Sequence, residues 1–230
     1  MASDYVDLDQ FAPSRPVRRN TRNLPLDTIA VIDFETTGLS PAHGERATEI
    51  AAVLVREGRI IDRYQSLMNA GRHVPPFIEA LTGISTAMVR QAPPAEQVMA
   101  EVADFVGTIP LVAHNAGFDS QFWDAELSRI GRRRSQSFVC SMLVAKRLMP
   151  EAASYKLGSL VAMAGLPSAA QAHRALADAE MAAHLTLYLE RELQRRFGLA
   201  TVTYQLLERI QKVPKSGLQR CVERYGQRCD

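Results

Sequence analysis

The chain has 230 residues, 47% of them hydrophobic and 23% charged, with a formal net charge of +2. That balance suits a folded soluble protein and excludes collagenous, coiled-coil and wholly disordered chains. At 25.4 kDa the chain can bury a core without disulfides or structural metal, and Cys140, Cys221 and Cys229 match neither a zinc site nor a disulfide framework. No stretch approaches the roughly 20 apolar residues of a membrane span, and the first 25 residues lack the apolar core of a signal peptide; a cytoplasmic location without membrane contact is expected. The charge is uneven: residues 23–190 carry 14 basic and 18 acidic side chains, residues 191–230 nine and four. An acidic body argues against nucleic acid as a partner unless bound cations neutralise carboxylates where phosphates would lie.

Residues 1–24 mix Pro, Asp and Arg without periodicity and are expected to form a flexible arm. Thr28–Asp33 is a β-branched apolar run, as in a strand buried on both faces. Glu49–Val55 and Ile60–Met68 flank Arg56-Glu57-Gly58-Arg59 and read as a hairpin, so the first three strands are expected to be sequential and antiparallel. Short helices are predicted over 76–81 and 85–90, a longer one over 94–106, a strand over 109–114 and a helix over 118–130 that stops at Gly131. Further helices are predicted over 141–148, 157–164, 174–196 and 201–211. Beyond Pro214 the chain reads as basic and irregular, either disordered or a contact segment. The fold class is α/β with a mixed sheet.

Three short segments carry chemistry. In Asp33-Phe34-Glu35 the two carboxylates project to one face at a strand end, where α/β sheets present their sites, although an isolated Asp-x-Glu is equally a solvated strand end. In His114-Asn115-Ala116-Gly117-Phe118-Asp119 an acid opens a helix after a tight polar turn, and alone it reads as an N-cap. In His173-Arg174-Ala175-Leu176-Ala177-Asp178 a loop His precedes an acid in the first turn of the long helix. Together Asp33, Glu35, Asp119 and Asp178 supply four hard oxygen donors. Their charge matches two divalent cations, Mg²⁺ or Mn²⁺ rather than zinc, and two such ions about 4 Å apart form a clamp for displacement at phosphorus.

These segments resemble the motifs of the DEDDh 3′→5′ exonucleases, also called DnaQ-like, of the ribonuclease H-like superfamily. Val31-Ile-Asp33-Phe-Glu35-Thr-Thr-Gly38 is similar to the first motif, His114-Asn115-Ala-Gly-Phe118-Asp119 to the second and His173-x-Ala175-x-x-Asp178 to the third. Glu45-Arg46-Ala-Thr-Glu49-Ile50, Leu81-Thr82-Gly83-Ile84-Ser85 and Lys156-Leu157-x-x-Leu160 agree with the family pattern. Within the family the pattern is most similar to the proofreading epsilon subunits of bacterial DNA polymerase III.

The resemblance implies a mixed five-stranded sheet flanked by helices, with an exonuclease domain over 25–197 and a basic tail, 198–230, as a candidate partner-contact segment. It implies that Asp33, Glu35, Asp119 and Asp178 hold the two metals and that His173 takes a proton from the attacking water, as a group titrating near neutrality can. The product would be a 5′ mononucleotide released from the 3′ end of a nucleic acid, DNA favoured over RNA, with a DNA polymerase or repair complex as a candidate partner. Thr36, Thr37, Thr82, Gly83 and Ile84 would lie by the terminal nucleotide. His114 and Asn115 would shape the site, a buried hydrogen-bonding role being the stronger reading for His114. A chain acting mainly as a tethering subunit, or an RNA-trimming exoribonuclease, are the alternatives. His43 reads as a surface residue, Arg132-Arg133-Arg134 as a solvated charge run and Trp123 as core.

Overall fold

The computed structural model describes residues 28–168 and 173–226. The expected N-terminal arm, Cys229 and the last residues of the tail lie outside this range. Five strands form one sheet in the order β3-β2-β1-β4-β5. β1 (Ile29–Thr36), β2 (Ala47–Arg56) and β3 (Arg59–Leu67) are sequential and antiparallel, whereas β4 (Leu111–Ala113) and β5 (Phe138–Cys140) run parallel to β1. The β2–β3 turn is tighter than the expected four-residue loop. Arg56 pairs with Arg59, and Glu57 and Gly58 both take positive φ, 50° and 73°. Two left-handed residues in succession match the twist of the flanking strands.

The centre of the sheet is covered on both faces, which is why most of β1 and β2 reads as an apolar run, while the edge strand β3 carries charges and is largely part-exposed. Ile29, Val31, Ala51, Val53, Val112 and Val139 pack against α5 (Ser141–Leu148), α6 (Leu157–Met163) and α7 (Ala175–Phe197). Ala30, Ile32, Phe34, Ala52, Leu54 and Leu111 face α3 (Ala95–Val106) and α4 (Ala116–Arg129). Two short helices, α1 (Pro76–Thr82) and α2 (Thr86–Gln91), enclose a small cluster around Ile84. α1 has Pro76 in its first turn and Gly83, at φ 72°, beyond its end, and the Ser85 hydroxyl caps α2 by accepting from Met88 N. α7 meets the sheet through Ala175, Ala179, Ala182 and Ala183, side chains small enough to bring the helix close to β1 and β2.

The expectation of an irregular tail after Pro214 is corrected by a helix. α8 (Tyr204–Ile210) and α9 (Leu218–Gly226) bury Leu206, Leu207, Ile210, Leu218 and Val222 in the same cluster as α7. Gln211 binds the edge strand β5 with both ends of its amide: Oε1 accepts from Cys140 N at 2.8 Å and Nε2 donates to the Phe138 carbonyl at 3.0 Å. A side chain thereby closes an edge that would otherwise offer unpaired backbone groups. The sequence concealed α9 because its apolar stripe is narrow and most of its surface is charged. Among the described residues no helix is long and apolar enough to cross a membrane.

Candidate active site

The side-chain alternation of β1 places Asp33 and Glu35 on the face of Ile29 and Val31, toward α7. Just beyond Glu35 the β1–β2 ladder shifts register, Glu35 pairing with Glu49 and Thr36 with Ala47. Such a bulge bends a strand and re-aims the residues beside it.

Asp119 arrives from the opposite layer. Its helix starts at Ala116, after Asn115 at φ 66°, so Asp119 lies within the first turn rather than at the cap. Its buried carboxylate is turned toward β1 and accepts from the N–H of Phe34, the residue between the two strand acids, at 3.2 Å. Asp178 occupies the first turn of α7 and accepts from the His173 N–H at 3.2 Å. His173 itself is exposed and held at φ 62°, a conformation uncommon outside glycine. Donor atoms of Glu35, His173 and Asp178 all lie within 4.8 Å of one another. Three segments far apart in sequence converge on one strand end.

Electrostatically this end is crowded. Burial, followed by repulsion from Asp119, Glu35, Asp178 and Glu49, holds the Asp33 carboxyl well above the usual carboxylate range. Glu35 is pushed up to about 8, mainly by burial and then by Asp178 and Glu49, with Arg174 opposing. Asp119 is raised to about 8 by burial, against the hydrogen bond from Phe34. Burial also raises Asp178, while His173 lowers it. Such groups bind protons or cations in preference to standing ionised together.

Behind the acids lie residues to which the sequence reading gave no role. Glu49, fully buried on β2, receives a fork from Arg174, Nη2 to Oε1 at 2.7 Å and Nε to Oε2 at 3.1 Å. It also accepts from Ala175 N at 3.0 Å, at the first turn of α7, and from Gln65 Nε2 at 2.8 Å. Glu49 thus fixes the start of the helix that carries Asp178. Arg46 makes a second buried fork to Glu126 of α4, at 2.7 and 2.9 Å, two turns along the helix from Asp119. The detectable signal was Glu49 inside the apolar strand β2 and Arg46 immediately before it, since charges in or beside a covered sheet require partners.

The loop after β1 is closed by Thr37, whose hydroxyl donates to Glu45 at 2.6 Å and accepts from Arg46 N at 3.0 Å. At Gly38 a Cβ would sit 2.6 Å from the Glu45 carboxyl carbon, so any side chain there must displace the carboxylate that Thr37 holds. Thr36 donates to the Gly38 carbonyl. Thr82 is buried, its hydroxyl bonded to the Ile78 carbonyl and to Ile84 N, and Ile84 is fully enclosed. The structure therefore engages these threonine hydroxyls internally. Asn115 is exposed beside Asp119 at the head of α4. His114 Nε2 donates to the Tyr155 carbonyl, and Nδ1 therefore accepts from the Ser141 hydroxyl, both at 2.9 Å; burial lowers its pKa. His43 is exposed and Trp123 is core. In the arginine run, Arg132 pairs with Asp104 and Arg134 with Asp124.

Residues 30–186 match the family model described as exonuclease, of the RNase T type. The chain belongs to the DnaQ-like exonuclease family. It is 36% identical over 173 residues to a PolC-type DNA polymerase III of Oceanobacillus iheyensis, covering 75% of this chain and 12% of that protein. It is 37% identical over 168 residues to the 3′-5′ exonuclease DinG of Bacillus subtilis, covering 73% and 18%. The chain thus spans less than a fifth of the length of these relatives. Among solved structures, exonuclease X in complex with 5′-overhanging duplex DNA superposes with a TM-score of 0.60 at 28% identity, over 75% of this chain and 95% of that one. Escherichia coli exonuclease I in complex with a dT13 oligonucleotide gives 0.64 at 18% identity, over 75% and 43%, a likeness of fold. The ribonuclease H-like family architecture is the mixed five-stranded sheet described above.

Proposed function

We propose that this chain is a divalent-metal-dependent 3′→5′ exonuclease that removes 5′ mononucleotides from single-stranded DNA. The observation that carries the reading is the meeting of Asp33, Glu35, Asp119 and Asp178 at the end of β1 with His173 beside them. Four oxygen-donor groups whose burial and mutual repulsion oppose ionisation fit cations and little else. These four residues would hold two Mg²⁺ or Mn²⁺ ions, which when bound lower the pKa of water and spread the charge of the pentacovalent phosphorus.

The protein's own groups do the rest. A ring nitrogen of His173, exposed beside Glu35 and Asp178, takes the proton of the attacking water as the general base. The Asp178–His173 backbone bond keeps the ring's segment at the cleft. Glu49 with Arg174, and Arg46 with Glu126, hold α7 and α4 at the spacing the four acids need. Thr36, Thr37 and the Thr82-Gly83-Ile84 turn act through backbone shape, with Asn115 presented to the substrate and His114 supporting the second motif from beneath.

The 3′→5′ direction is supported by the name of the Bacillus relative, and DNA as substrate by the DNA held in the structural neighbours. The PolC-type relatives support association with a polymerase. Digestion of matched single-stranded DNA and RNA, labelled at either end, with Mg²⁺ or Mn²⁺ tests the proposal. Loss of the 3′ label as mononucleotide, from DNA ahead of RNA and absent in Asp33→Ala, is the expected result. Both polymers surviving intact, or Asp33→Ala matching the parent, would overturn it.

A further inference from the structure

A cavity of about 470 Å³ opens between α8 and α9, lined by Arg209, Lys212, Arg220 and Arg224 together with Val213 and Cys221. All four cations are exposed. Among the described residues no carboxylate pairs with Arg209, Arg220 or Arg224, and Lys212 has only a 3.6 Å approach to Glu208. Like charges around one concavity repel each other, and an anion in their midst relieves that repulsion. The walls are not free to spread: α8 and α9 are anchored in the core through Leu207, Ile210, Leu218 and Val222. The Arg209 guanidinium lies 5.5 Å from the centre of the Tyr225 ring. Guanidinium groups, with their planar fork of donors, suit phosphate oxygens.

The cavity is joined to the catalytic end by further cations. Lys215 Nζ lies 5.6 Å and Lys146 Nζ 5.7 Å from the centre of the same Tyr155 ring. The Tyr155 carbonyl accepts from His114, at the head of the segment that carries Asp119. Arg147 of α5 donates to the carbonyl of Val213, on the cavity wall. Lys146, Lys215 and Tyr155 thus link the cavity wall to His114, the residue that opens the second motif, with cations suited to strand phosphates.

We propose that the α8–α9 cavity is an accessory site for backbone phosphates of the nucleic-acid strand whose end enters the cleft. The inference rests on the exonuclease reading for the position of that end. An acidic peptide would satisfy the four charges but would leave Lys146 and Lys215, on the side of the second-motif His114, without a role.

The test uses the full chain and Arg220→Glu/Arg224→Glu, with Arg220→Ala/Arg224→Ala as a milder pair and circular-dichroism melting to establish folding. Binding of single-stranded DNA of about 4 and about 25 nucleotides is followed by anisotropy in EDTA, without cleavage, across roughly 50–200 mM salt. Hydrolysis of the p-nitrophenyl ester of thymidine 5′-monophosphate with Mn²⁺ reports on the cleft alone. The expected result is at least about a 10-fold loss of affinity for the long strand and a salt slope lower by about 1.4, two phosphates at about 0.7 each. The short strand and the ester are expected to be unchanged. A folded variant with parental affinity and slope for the long strand would overturn the proposal. So would a poly-glutamate peptide of matched charge that binds the parent more tightly than the long strand does and is lost in the variant. If the parent cleaves neither ester nor DNA yet binds the long strand through these arginines, the cavity stands as a nucleic-acid site and only the exonuclease reading falls.

Discussion

Two groups of buried carboxylates lie a few residues apart and are treated in opposite ways. On β2 and α4, Glu49 and Glu126 are each clasped by an arginine fork. At the end of β1, Asp33, Glu35 and Asp119 crowd together, with Arg174 the one cation lowering Glu35 and none among the causes that act on Asp33. Neutralised pairs make a rigid frame, because removing either partner strands a charge in a dry interior. The crowded group is the opposite, a cost to the folded chain that ligand binding can relieve. The frame keeps α4 and α7 from drifting apart to ease the repulsion, so structural and functional charges are two parts of one device.

The largest effect is expected on the functional side. His173→Ala lowers nuclease turnover by about 10²–10⁴-fold, as loss of a general base does, with the melting temperature held; an activity within threefold of the parent would detach His173 from the chemistry. On the frame side, Arg46→Met leaves Glu126 without its fork. A loss of about 3–5 kcal/mol, on the order of 10 °C in melting temperature for a domain this size, should appear by calorimetry. An unchanged melting curve would show that the frame does not need this pair.

Glu49→Gln probes where the two groups meet. Because Glu49 positions α7 without being one of the four acids, turnover is expected to fall by about 10–100-fold, with weaker metal affinity in a Mn²⁺ titration. Arg174→Met in the same background adds little, as members of one pair are not additive; additive losses would mean that the two residues act separately.

The smallest effect is the most diagnostic. Carboxyls raised to about 8 in the folded chain, against about 4 when unfolded, bind more protons folded than unfolded. Their stabilising contribution is complete below about pH 4 and is lost as the pH rises through 8. In EDTA the parent should therefore melt lower at pH 8 than at pH 5. Asp119→Asn, which keeps an oxygen for the Phe34 N–H, should raise the pH 8 value by at least about 2 °C and leave that at pH 5 nearly unchanged. Mn²⁺ should raise the parent most at high pH. A variant no more stable than the parent at pH 8 would mean that the ionised Asp119 carboxylate carries no penalty at this buried position.

Much of this was legible from residue order. The β1 run, the hairpin and the long α7 follow from local pattern, and the acids on β1 share a face because strand side chains alternate. β5 escaped because three residues show no period, and α9 because its few apolar positions sit in a charged segment. Asp119 looked like a cap because an acid near a helix start usually is one; whether its carboxylate turns to its own backbone or to Phe34 depends on what lies opposite. The forks of Glu49 and Arg46 were hinted at by a charge inside an apolar strand and another just before it, but their partners sit 125 and 80 positions away, beyond any local rule.

The sequence by itself determined which chemistry the chain could carry: four acids and a histidine in three short segments, each set by local geometry. Only the tertiary structure decided that those segments meet, that Thr36, Thr37 and Thr82 spend their hydroxyls on the protein itself, and that the basic C-terminal residues wall a cavity instead of trailing as a tail. The reason is physical. Alternation and helical pitch act over a few residues, whereas repulsion between buried acids and the pairing of buried charges exist only once distant parts of the chain share a space that water has left.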